Sequence, residues 1–477
     1  MVVLTGRDLT RADVARVARS GERVAIHHEA ISAMAATRAV VELSLERGHA
    51  VYGLTTGAGV LKRASLDATA AATYANRIIR QHQVALGPSA PHDVVRAMIL
   101  RLANEFASGV PGVRPQLALH LVEQLTADTA ARVRILGSVG EADLAQAADL
   151  AMELFRDVQL AAGEGLALLT GNAFATGWAA LAMDDAATLI ATMEAAGALS
   201  LEAIAANPSM LHRSIAEVRP YPGLARAVGR MHALLEGSFL WDQGRARSLQ
   251  DPLTFRGLPQ LLGAVHDAFD HADGVLAMEL NASQGNPIVV AGEERPLSVA
   301  NFEILPLAAA LDYLRIVLAS ALTASAERIV KLLETSWSGL PTGLTPSGDP
   351  ADPGLGYLGI ASQALSAEIR LLAAPVSFEL ASTAHAEGIE DRMTMAPLGA
   401  RRLGEQVALG RELICRELVV AVQATELRGL LPLGRGTTPV AARVRGIVPA
   451  LGRDGSVPAD LEPLSEAIRA GLIATGP

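Results

Sequence analysis

The sequence has little cysteine and few aromatic residues. Its 477 residues include a single cysteine, Cys415, which excludes an internal disulfide and a metal cage built from several cysteines. Aromatic residues make up only 3% of the chain, whereas 50% of it is hydrophobic and alanine and leucine are abundant. Because strands favour β-branched and aromatic residues while helices favour alanine and leucine, this composition predicts a mostly helical protein.

The sequence also lacks a basic run. Its formal net charge is −10, which argues against nucleic acid or an anionic membrane surface as a partner. The opening stretch MVVLTGRDLTRADV becomes polar almost at once, unlike a signal peptide, and the longest uncharged stretch, 166–183, contains several polar residues and glycines. We therefore expect a cytoplasmic protein without a membrane span.

Helical patterns dominate what is present. Thr10 and Asp13 have capping-box spacing before an apolar face, and two long apolar stripes predict helices of 20 or more residues. The stripes consist of Leu311, Leu314, Leu318, Leu322, Ile329 and Leu333, and of Val407, Ile414, Leu418 and Ala421. We predict an all-α fold with a long central helix bundle and a smaller mixed N-terminal part. The predicted domains are the N-terminal part (1–200), the central bundle (201–430) and a C-terminal helical cap (431–477). A long loop is predicted from Gly339 to Pro353.

Two short motifs do not carry their usual function. The stretch GLGYLG (354–359) matches the dinucleotide-binding glycine pattern, but it follows a proline-rich loop rather than a strand. The stretch HHE (27–29) has neither helical histidine spacing nor a third ligand. We therefore predict no nucleotide site and no metal site.

Six separated stretches, spread over roughly 350 residues, resemble motifs that occur in the same order in a known protein family. They are VYGLTTGAG, IIRQHQVALG, GEGLALLTGN, LQDPLTFRGLPQ, GNPIVV followed by ANF, and IEDRMTM. They resemble the Tyr-Gly-x-Asn-Thr-Gly-x-Gly loop, the Ser-His helix, and the Glu-Gly-Leu-Ala-Leu-x-Asn-Gly, Gln-Asp-Pro-Tyr-Ser-x-Arg, Asn-Pro with Asn-Phe, and Gln-Glu-Asp-His-x-Ser-Met motifs of the histidine and phenylalanine ammonia-lyases. The chain is thus similar to that family nearly from end to end.

The resemblance implies a mostly helical homotetramer of the ammonia-lyase and fumarase-like type, whose active sites are assembled from more than one subunit. It also implies an electrophile, a methylidene-imidazolone ring made by cyclisation of an Ala-Ser-Gly tripeptide within Gly-Ser-Val-Gly-Ala-Ser-Gly-Asp-Leu-Ala. This chain reads GSVGEADLA at residues 137–145, which we call the altered segment. Glu141 and Ala142 replace the tripeptide and one residue is missing, so neither the serine that is dehydrated nor the glycine that attacks is present there. We expect no ring and no other cofactor.

Further family positions are changed or retained. The asparagine that would support the ring is replaced by Thr170, and the tyrosine after Gln-Asp-Pro is replaced by Leu253. By resemblance, Tyr52 matches the catalytic base and Arg256 the arginine that pairs with a substrate carboxylate, for which a guanidinium fork is well shaped. The other matched pocket positions are His82, Gln250, Asn286, Phe302 and Glu390.

Glu141 and Asp143 have different interpretations. Asp143 has a counterpart in the family, and its position predicts a role at a helix start. Glu141 lies where the ring would lie, so it is a candidate general acid or base together with Tyr52 and Glu390. The alternative for Glu141 is a carboxylate that only complements a helix N-terminus.

Three functions remain open from the sequence. The first is an enzyme without the ring that acts on a small carboxylate-bearing substrate by acid/base elimination, addition or isomerisation, and that needs a more acidic proton or a better leaving group than an amino acid offers. The second is a conventional ammonia-lyase or aminomutase with a ring made from Gly140, Glu141 and Ala142. The third is a non-catalytic member of the family that serves as a binding module or partner subunit.

Overall fold

Alanine- and leucine-rich stretches form helices along most of the chain, which confirms the prediction of a mostly α-helical fold. The computed structural model describes residues 1–347, 351–378, 388–451 and 460–474. The chain divides into two compact units. The first comprises Met1–Asp184, Ala272–Asp312 and Pro375–Arg401, and the second comprises Asp185–His271, Tyr313–Ala374 and Arg402–Pro477. Both units are discontinuous along the chain, whereas the three predicted segments are continuous.

The N-terminal part is mixed, as predicted, with two small sheets among its helices. Strands β1 (Val2–Leu4) and β2 (Val24–Ile26) pair in parallel, and β3 (Leu86–Ser89) pairs antiparallel with β4 (Arg134–Leu136). The helices here are α1 (Arg11–Ser20), α2 (His28–Glu46), α3 (Ala68–Gln81), α4 (His92–Ala107), α5 (Pro115–Thr126), α6 (Leu144–Leu154), α7 (Glu164–Leu169) and α8 (Ala173–Ile204).

Helix α1 begins at the predicted capping box. The Thr10 hydroxyl accepts a hydrogen bond from the Asp13 amide at 3.1 Å, and the Asp13 carboxylate accepts one from the Thr10 amide at 3.0 Å. Two of the amides that lack a partner inside the helix are thereby satisfied. The apolar face predicted from Val14, Val17 and Ala18 is buried, so the sequence pattern fixes both the start and the orientation of this helix.

The later part of the chain is helical in the described residues, apart from short 3-10 turns and loops. Its helices are α9 (Ser214–Val218), α10 (Pro222–Leu234), α11 (Leu253–Arg256), α12 (Leu258–Glu279), α13 (Leu305–Leu333), α14 (Thr335–Ser338), α15 (Gly356–Leu372), α16 (Ala396–Arg428), α17 (Thr437–Ile447) and α18 (Glu462–Arg469). The region predicted as a long loop, from Gly339 to Pro353, contains the 3-10 turn Thr342–Leu344 in its described residues.

The two predicted apolar stripes lie in the core. In the second unit, Leu314, Leu318 and Leu322 on α13 are fully buried, and so are Ile414 and Leu418 on α16. The same unit buries the carboxylate of Glu417, which accepts hydrogen bonds from Ser200 and Arg328 at 2.8 and 2.6 Å. A buried carboxylate needs such partners, because burial without them would be costly.

Two stretches are long and apolar enough to cross a membrane by length and composition alone. They are Glu164–Ile204, whose most apolar window is 83% buried, and Leu305–Leu333, whose window is 61% buried. The core helices of soluble proteins pass the same test, so this pattern is weak evidence for a membrane span.

Candidate functional site

The predicted site residues fall into both units. The first unit holds Tyr52, His82, Glu141, Thr170, Asn286, Phe302 and Glu390, and the second holds Gln250, Leu253 and Arg256.

The altered segment forms a tight turn before helix α6. The Gly140 amide donates to the Ser138 hydroxyl at 3.0 Å, and that hydroxyl donates to Asp143 Oδ1 at 3.1 Å. Gly140 has φ +86° and Ala142 has φ +63°, so a non-glycine residue occupies the left-handed region directly after Glu141. That conformation is uncommon for alanine and carries strain. The shortened sequence is therefore accommodated by local backbone strain.

The start of helix α16 holds this turn from one side. The Met395 amide donates to the Val139 carbonyl at 2.9 Å, and the Thr394 hydroxyl donates to the Gly140 carbonyl at 2.7 Å. A Cβ atom added to Gly140 would lie 2.3 Å from Thr394 Oγ1, closer than real Cβ contacts. Glycine is thus required where the turn meets α16.

Glu141 pairs through its backbone with Glu303, which precedes helix α13. Its side chain is partly buried, and the Oε1 atom is shielded from solvent. The neighbouring Glu303 accepts a hydrogen bond from the Leu305 amide at 3.1 Å and forms an ion pair with Arg392 at 3.3 Å. A carboxylate therefore occupies the middle of the altered segment, beside the start of a long helix.

Asp143 does act at a helix start, but that helix is α8 rather than α6. It occupies the N-cap position of α6 without a side-chain hydrogen bond to that helix. Its Oδ2 instead accepts from the Ala175 amide of α8 at 2.8 Å. Burial raises the pKa of Asp143 from 3.8 to about 7, although hydrogen bonds from Ala175, Ser138 and Phe174 act in the opposite direction.

The residues that occupy the position of the ring-forming tripeptide do not fit the methylidene-imidazolone ring. Gly140, Glu141 and Ala142 include no hydroxyl that could be eliminated as water. The sequence does contain an Ala-Ser-Gly tripeptide elsewhere, at residues 107–109, where helix α4 ends. There the Gly109 amide already donates to the Phe106 carbonyl at 2.9 Å, as part of the helix end.

Tyr52 and Glu390 approach each other in the first unit of one chain. The Tyr52 hydroxyl oxygen accepts from the Gly59 amide at 2.8 Å. Burial raises the pKa of Tyr52 above its ordinary value of 10, the Gly59 hydrogen bond opposes this, and the negative charge of Glu390 raises the pKa further. This direction favours the protonated phenol and runs against the tuning that a phenolate base needs.

His82 ends helix α3 and is partly buried. Its Nδ1 lies 2.8 Å from the carbonyl oxygen of Ile78, and only a protonated Nδ1 can donate to a carbonyl. Nε2 of the neutral ring is consequently the acceptor. A partly buried imidazole acceptor is suited to receive a hydrogen bond from a ligand.

Thr170 is hydrogen-bonded to Asn286, and Phe302 is hydrogen-bonded to Asn172, two residues after Thr170. The Asn286 amide donates to the Thr170 hydroxyl at 3.1 Å, and the Asn172 side chain donates to the Phe302 carbonyl at 2.8 Å. Asn286 Oδ1 accepts from the Val299 amide at 3.0 Å. The structure thus brings three of the predicted residues into one connected part of the first unit.

In the second unit, Gln250 and Arg256 contact each other directly. With its side-chain carbonyl facing the guanidinium, Gln250 accepts from Arg256 Nη2 at 3.2 Å and also from Nη1. Arg256 Nε is buried and has no hydrogen-bond partner among the described residues, whereas Leu253, one turn earlier on α11, is 69% exposed. A guanidinium with an unused buried donor is a suitable partner for a carboxylate.

A buried charged pair, which was not predicted from the sequence, lies near Thr170 and Gly171. Arg101 and Glu105 lie four residues apart on α4 and are 0% and 3% exposed. The available signal was the presence of two charges at one-turn spacing within the apolar run of this helix. Among the residues that the structure describes, no group of three His, Cys, Asp or Glu side chains could hold a metal ion.

Comparisons with known proteins agree with the motif pattern. The family model described as aromatic amino acid lyase matches residues 9–156 and 154–446. A histidine ammonia-lyase from Sorangium cellulosum is 32% identical over 99% of this chain and 98% of its own length.

Two solved structures share the fold. Ergothionase from Treponema denticola, an ergothioneine-degrading enzyme in complex with desmethyl-ergothioneine sulfonic acid, superposes with a TM-score of 0.92 at 27% identity and 99% coverage of both chains. Tyrosine aminomutase from Streptomyces globisporus superposes with a TM-score of 0.91 at 27% identity, covering 98% of this chain and 97% of the other. The predicted ammonia-lyase type of helical fold is confirmed, and the chain belongs to the aromatic amino acid lyase family.

Proposed function

We propose that this chain is a lyase that eliminates an amine from a small carboxylate-bearing substrate by acid/base chemistry, without the methylidene-imidazolone ring. One observation carries the proposal: Glu141 stands in place of the tripeptide, in a turn held by Thr394 and the start of α16. The replacement of the supporting asparagine by Thr170 and of the pocket tyrosine by Leu253 supports the same interpretation.

The leaving group follows from the absence of an electrophile. In the proposed reaction a base removes a proton from the carbon β to the carboxylate, and the C–H electron pair becomes the new double bond. The Cα–N bond then breaks with its electrons on nitrogen. A quaternary ammonium group departs as a neutral tertiary amine and requires neither protonation nor covalent activation. Ergothioneine, which the similar enzyme from Treponema denticola degrades, is a trimethylammonium betaine, so we propose a betaine of this kind as substrate.

The residues present suggest a division of roles. We assign proton removal to Glu141, because the raised pKa of Tyr52 keeps its phenol protonated at neutral pH and suits it to donate a hydrogen bond. Arg256 would bind the substrate carboxylate with its unused Nε, supported by Gln250. Glu390 would contribute negative charge near the departing cationic group, and Phe302, His82 and Asn286 would line the pocket.

We propose a homotetramer in the cytoplasm, with no nucleic-acid or membrane partner. The net charge of −10 supports the absence of a nucleic-acid partner. On α15 of the second unit, Tyr357, Ile360 and Leu371 are 69%, 68% and 70% exposed, although their apolar side chains would favour a covering surface. Light scattering should give four subunits, and a monomer at micromolar concentration would contradict the assembly.

A second candidate is a conventional histidine ammonia-lyase or aminomutase. It is favoured by the 32% identity to a histidine ammonia-lyase over 99% of the chain. Intact mass and peptide mapping distinguish the two functions, because ring formation removes two waters from the tripeptide. Loss of two waters from the peptide that contains residues 137–145, together with turnover of histidine, would establish this candidate. The full mass is the result expected from our proposal.

The main test is Glu141→Gln, assayed with ergothioneine and with histidine. Glutamine preserves size but cannot exchange a proton at neutral pH, so turnover of ergothioneine should fall by roughly 100-fold or more while the melting temperature is kept. Glu46→Gln, on an exposed position of α2, is the matched control and should change neither quantity. Unchanged turnover in Glu141→Gln would leave this residue as a complement to the helix N-terminus.

Arg256→Met tests the carboxylate contact. Removal of the guanidinium should weaken binding of a carboxylate ligand by roughly 2 to 4 kcal/mol, the scale of an ionic partner lost from a buried site. Calorimetric titration with ergothioneine measures this. Binding as tight as that of the parent would show that Arg256 has a structural role only.

A further inference from the structure

A buried ion pair lies beneath the part of the site that contains Thr170 and Asn286. Arg101 Nη1 lies 3.4 Å from Glu105 Oε2 inside the first unit. Arg101 also donates to the carbonyl oxygens of Glu279 at 3.1 Å and Ala282 at 2.6 Å. The guanidinium thereby fixes the chain where α12 ends and the segment 280–286 begins.

Glu105 fixes the other end of that segment. Its Oε1 accepts from the Gln284 amide at 2.7 Å, and the Gly285 amide also bonds to this carboxylate. The Gln284 side chain donates to Glu279 at 2.7 Å and accepts from the Asn172 amide at 3.2 Å. Both backbone amides immediately before Asn286 are therefore held by one carboxylate.

The same carboxylate is packed against the residue that follows Thr170. A Cβ atom added to Gly171 would lie 2.8 Å from Glu105 Oε2, and one added to Gly285 would lie 3.5 Å from Thr170 Oγ1 and 3.8 Å from Glu105 Oε1. Glu105 thus fills the space between the two chain segments that carry Thr170 and Asn286. The 3.1 Å hydrogen bond between the Asn286 amide and Thr170 closes the group.

We infer that Glu105 is a positioning residue, which, paired with Arg101, holds the 284–285 backbone and so fixes Asn286 against Thr170. Leaving a carboxylate and a guanidinium buried is costly in free energy, and packing alone could be supplied by apolar residues. The pair supplies what apolar residues cannot, namely an acceptor for two backbone amides and a donor for two carbonyls. The kinetic part of this inference rests on the proposed function, whereas the placement of Asn286 does not.

The test compares Glu105→Gln with Glu105→Leu in the full-length protein. Glutamine keeps an acceptor for the Gln284 amide, and leucine has similar size but no acceptor. Hydrogen exchange of peptides that cover residues 280–287 should accelerate in Glu105→Leu and remain close to the parent in Glu105→Gln. With ergothioneine as substrate, kcat/KM should fall by about 100-fold in Glu105→Leu, the scale of a 1 Å displacement of binding groups, and by only a few-fold in Glu105→Gln.

Glu202→Leu is the matched control. Glu202 is also a buried carboxylate that accepts from a backbone amide, that of Gly434 at 2.7 Å, but it belongs to the second unit and to none of the predicted site residues. Its substitution should lower the melting temperature and leave both the exchange of residues 280–287 and kcat/KM unchanged. Asn286→Ala should reduce kcat/KM, and the combination with Glu105→Leu should cost less than the sum of the two.

The outcomes separate this inference from the proposed function. Exchange of residues 280–287 that is the same in Glu105→Leu and the parent would overturn the positioning role. Accelerated exchange with unchanged kcat/KM would also overturn it, because the network would then be structural only. If the parent does not turn over ergothioneine, the proposed substrate fails, and the exchange comparison of the leucine and glutamine variants still decides whether Glu105 fixes this segment.

Discussion

Asp143→Asn should change how stability depends on pH. Asp143 is fully buried, and its carboxylate accepts from the Ala175 amide and from the Ser138 hydroxyl. An asparagine oxygen can accept from the amide, and its NH₂ group can face Ser138, whose hydroxyl can turn to accept. The substitution therefore removes the titration while it preserves the shape and most of the hydrogen bonds.

The expected magnitude follows from the pKa in the two states. Burial raises the pKa of Asp143 from 3.8 to about 7 in the folded protein. Between these values the folded state binds the proton more tightly than the unfolded state, so Asp143 destabilises the fold increasingly as pH rises through this window. The pKa difference of about three pH units corresponds to a free energy on the order of 4 kcal/mol, fully developed above pH 7.

Urea unfolding of both proteins at fixed protein concentration, from pH 4 to pH 8, measures this effect. The free energy of unfolding of Asp143→Asn, relative to the parent, should rise with pH across the window and become constant above it. In Ser138→Ala, loss of a hydrogen bond that lowers the pKa of Asp143 should extend the window to higher pH. A stability difference between Asp143→Asn and the parent that does not vary with pH would refute the reasoning.

Two further predictions concern local packing and helix capping. Gly165→Ala should lower the free energy of unfolding by about 3 kcal/mol, because the new Cβ atom would lie 2.0 Å from the Ala75 carbonyl oxygen. At Gly229 no described atom lies within 4 Å of such a Cβ atom, so Gly229→Ala should raise the free energy of unfolding by about 0.5–1 kcal/mol. Urea unfolding measures both changes, and equal changes in the free energy of unfolding for the two variants would contradict this prediction. Thr10→Ala should lower the free energy of unfolding by about 1 kcal/mol, because the contact with Asp13 is lost. Thr10→Ser keeps a hydroxyl and should retain most of the stability of the parent. Equal unfolding midpoints for the alanine variant and the parent would refute the capping role.

The features that could be predicted from sequence are local or periodic. The capping box of α1 depends on residues three positions apart, and the stripes on α13 and α16 depend on helical periodicity, so neighbouring residues determine both. The sequence also showed that the altered segment lacks the ring-forming residues, since this follows from residue types alone. The roles of the individual site residues stay predictions.

The features that could not be predicted depend on contacts distant in sequence. Asp143 precedes α6, yet its carboxylate bonds to α8, 32 residues further along the chain. Glu105 meets Gln284 across 179 residues, and only the folded chain shows that it lies against Gly171. The effect of Glu390 on the pKa of Tyr52 also joins two residues that are distant in the sequence.

The surroundings of Glu141 help to decide between its two possible roles, a complement to a helix N-terminus and a proton acceptor in the proposed reaction. Three long helices begin at contacts of the altered segment: α8 through Asp143, α13 through Glu303, and α16 through Thr394. Helix N-termini carry partial positive charge, and each stabilises a nearby negative charge by about 0.3–1 kcal/mol. Asp143 and Glu303 already accept amide hydrogens of α8 and α13, so these helix starts do not require a further carboxylate. Glu141 is thus a carboxylate that the starts of α8 and α13 do not require, and this favours the proposed role as proton acceptor over a role as a complement to either helix.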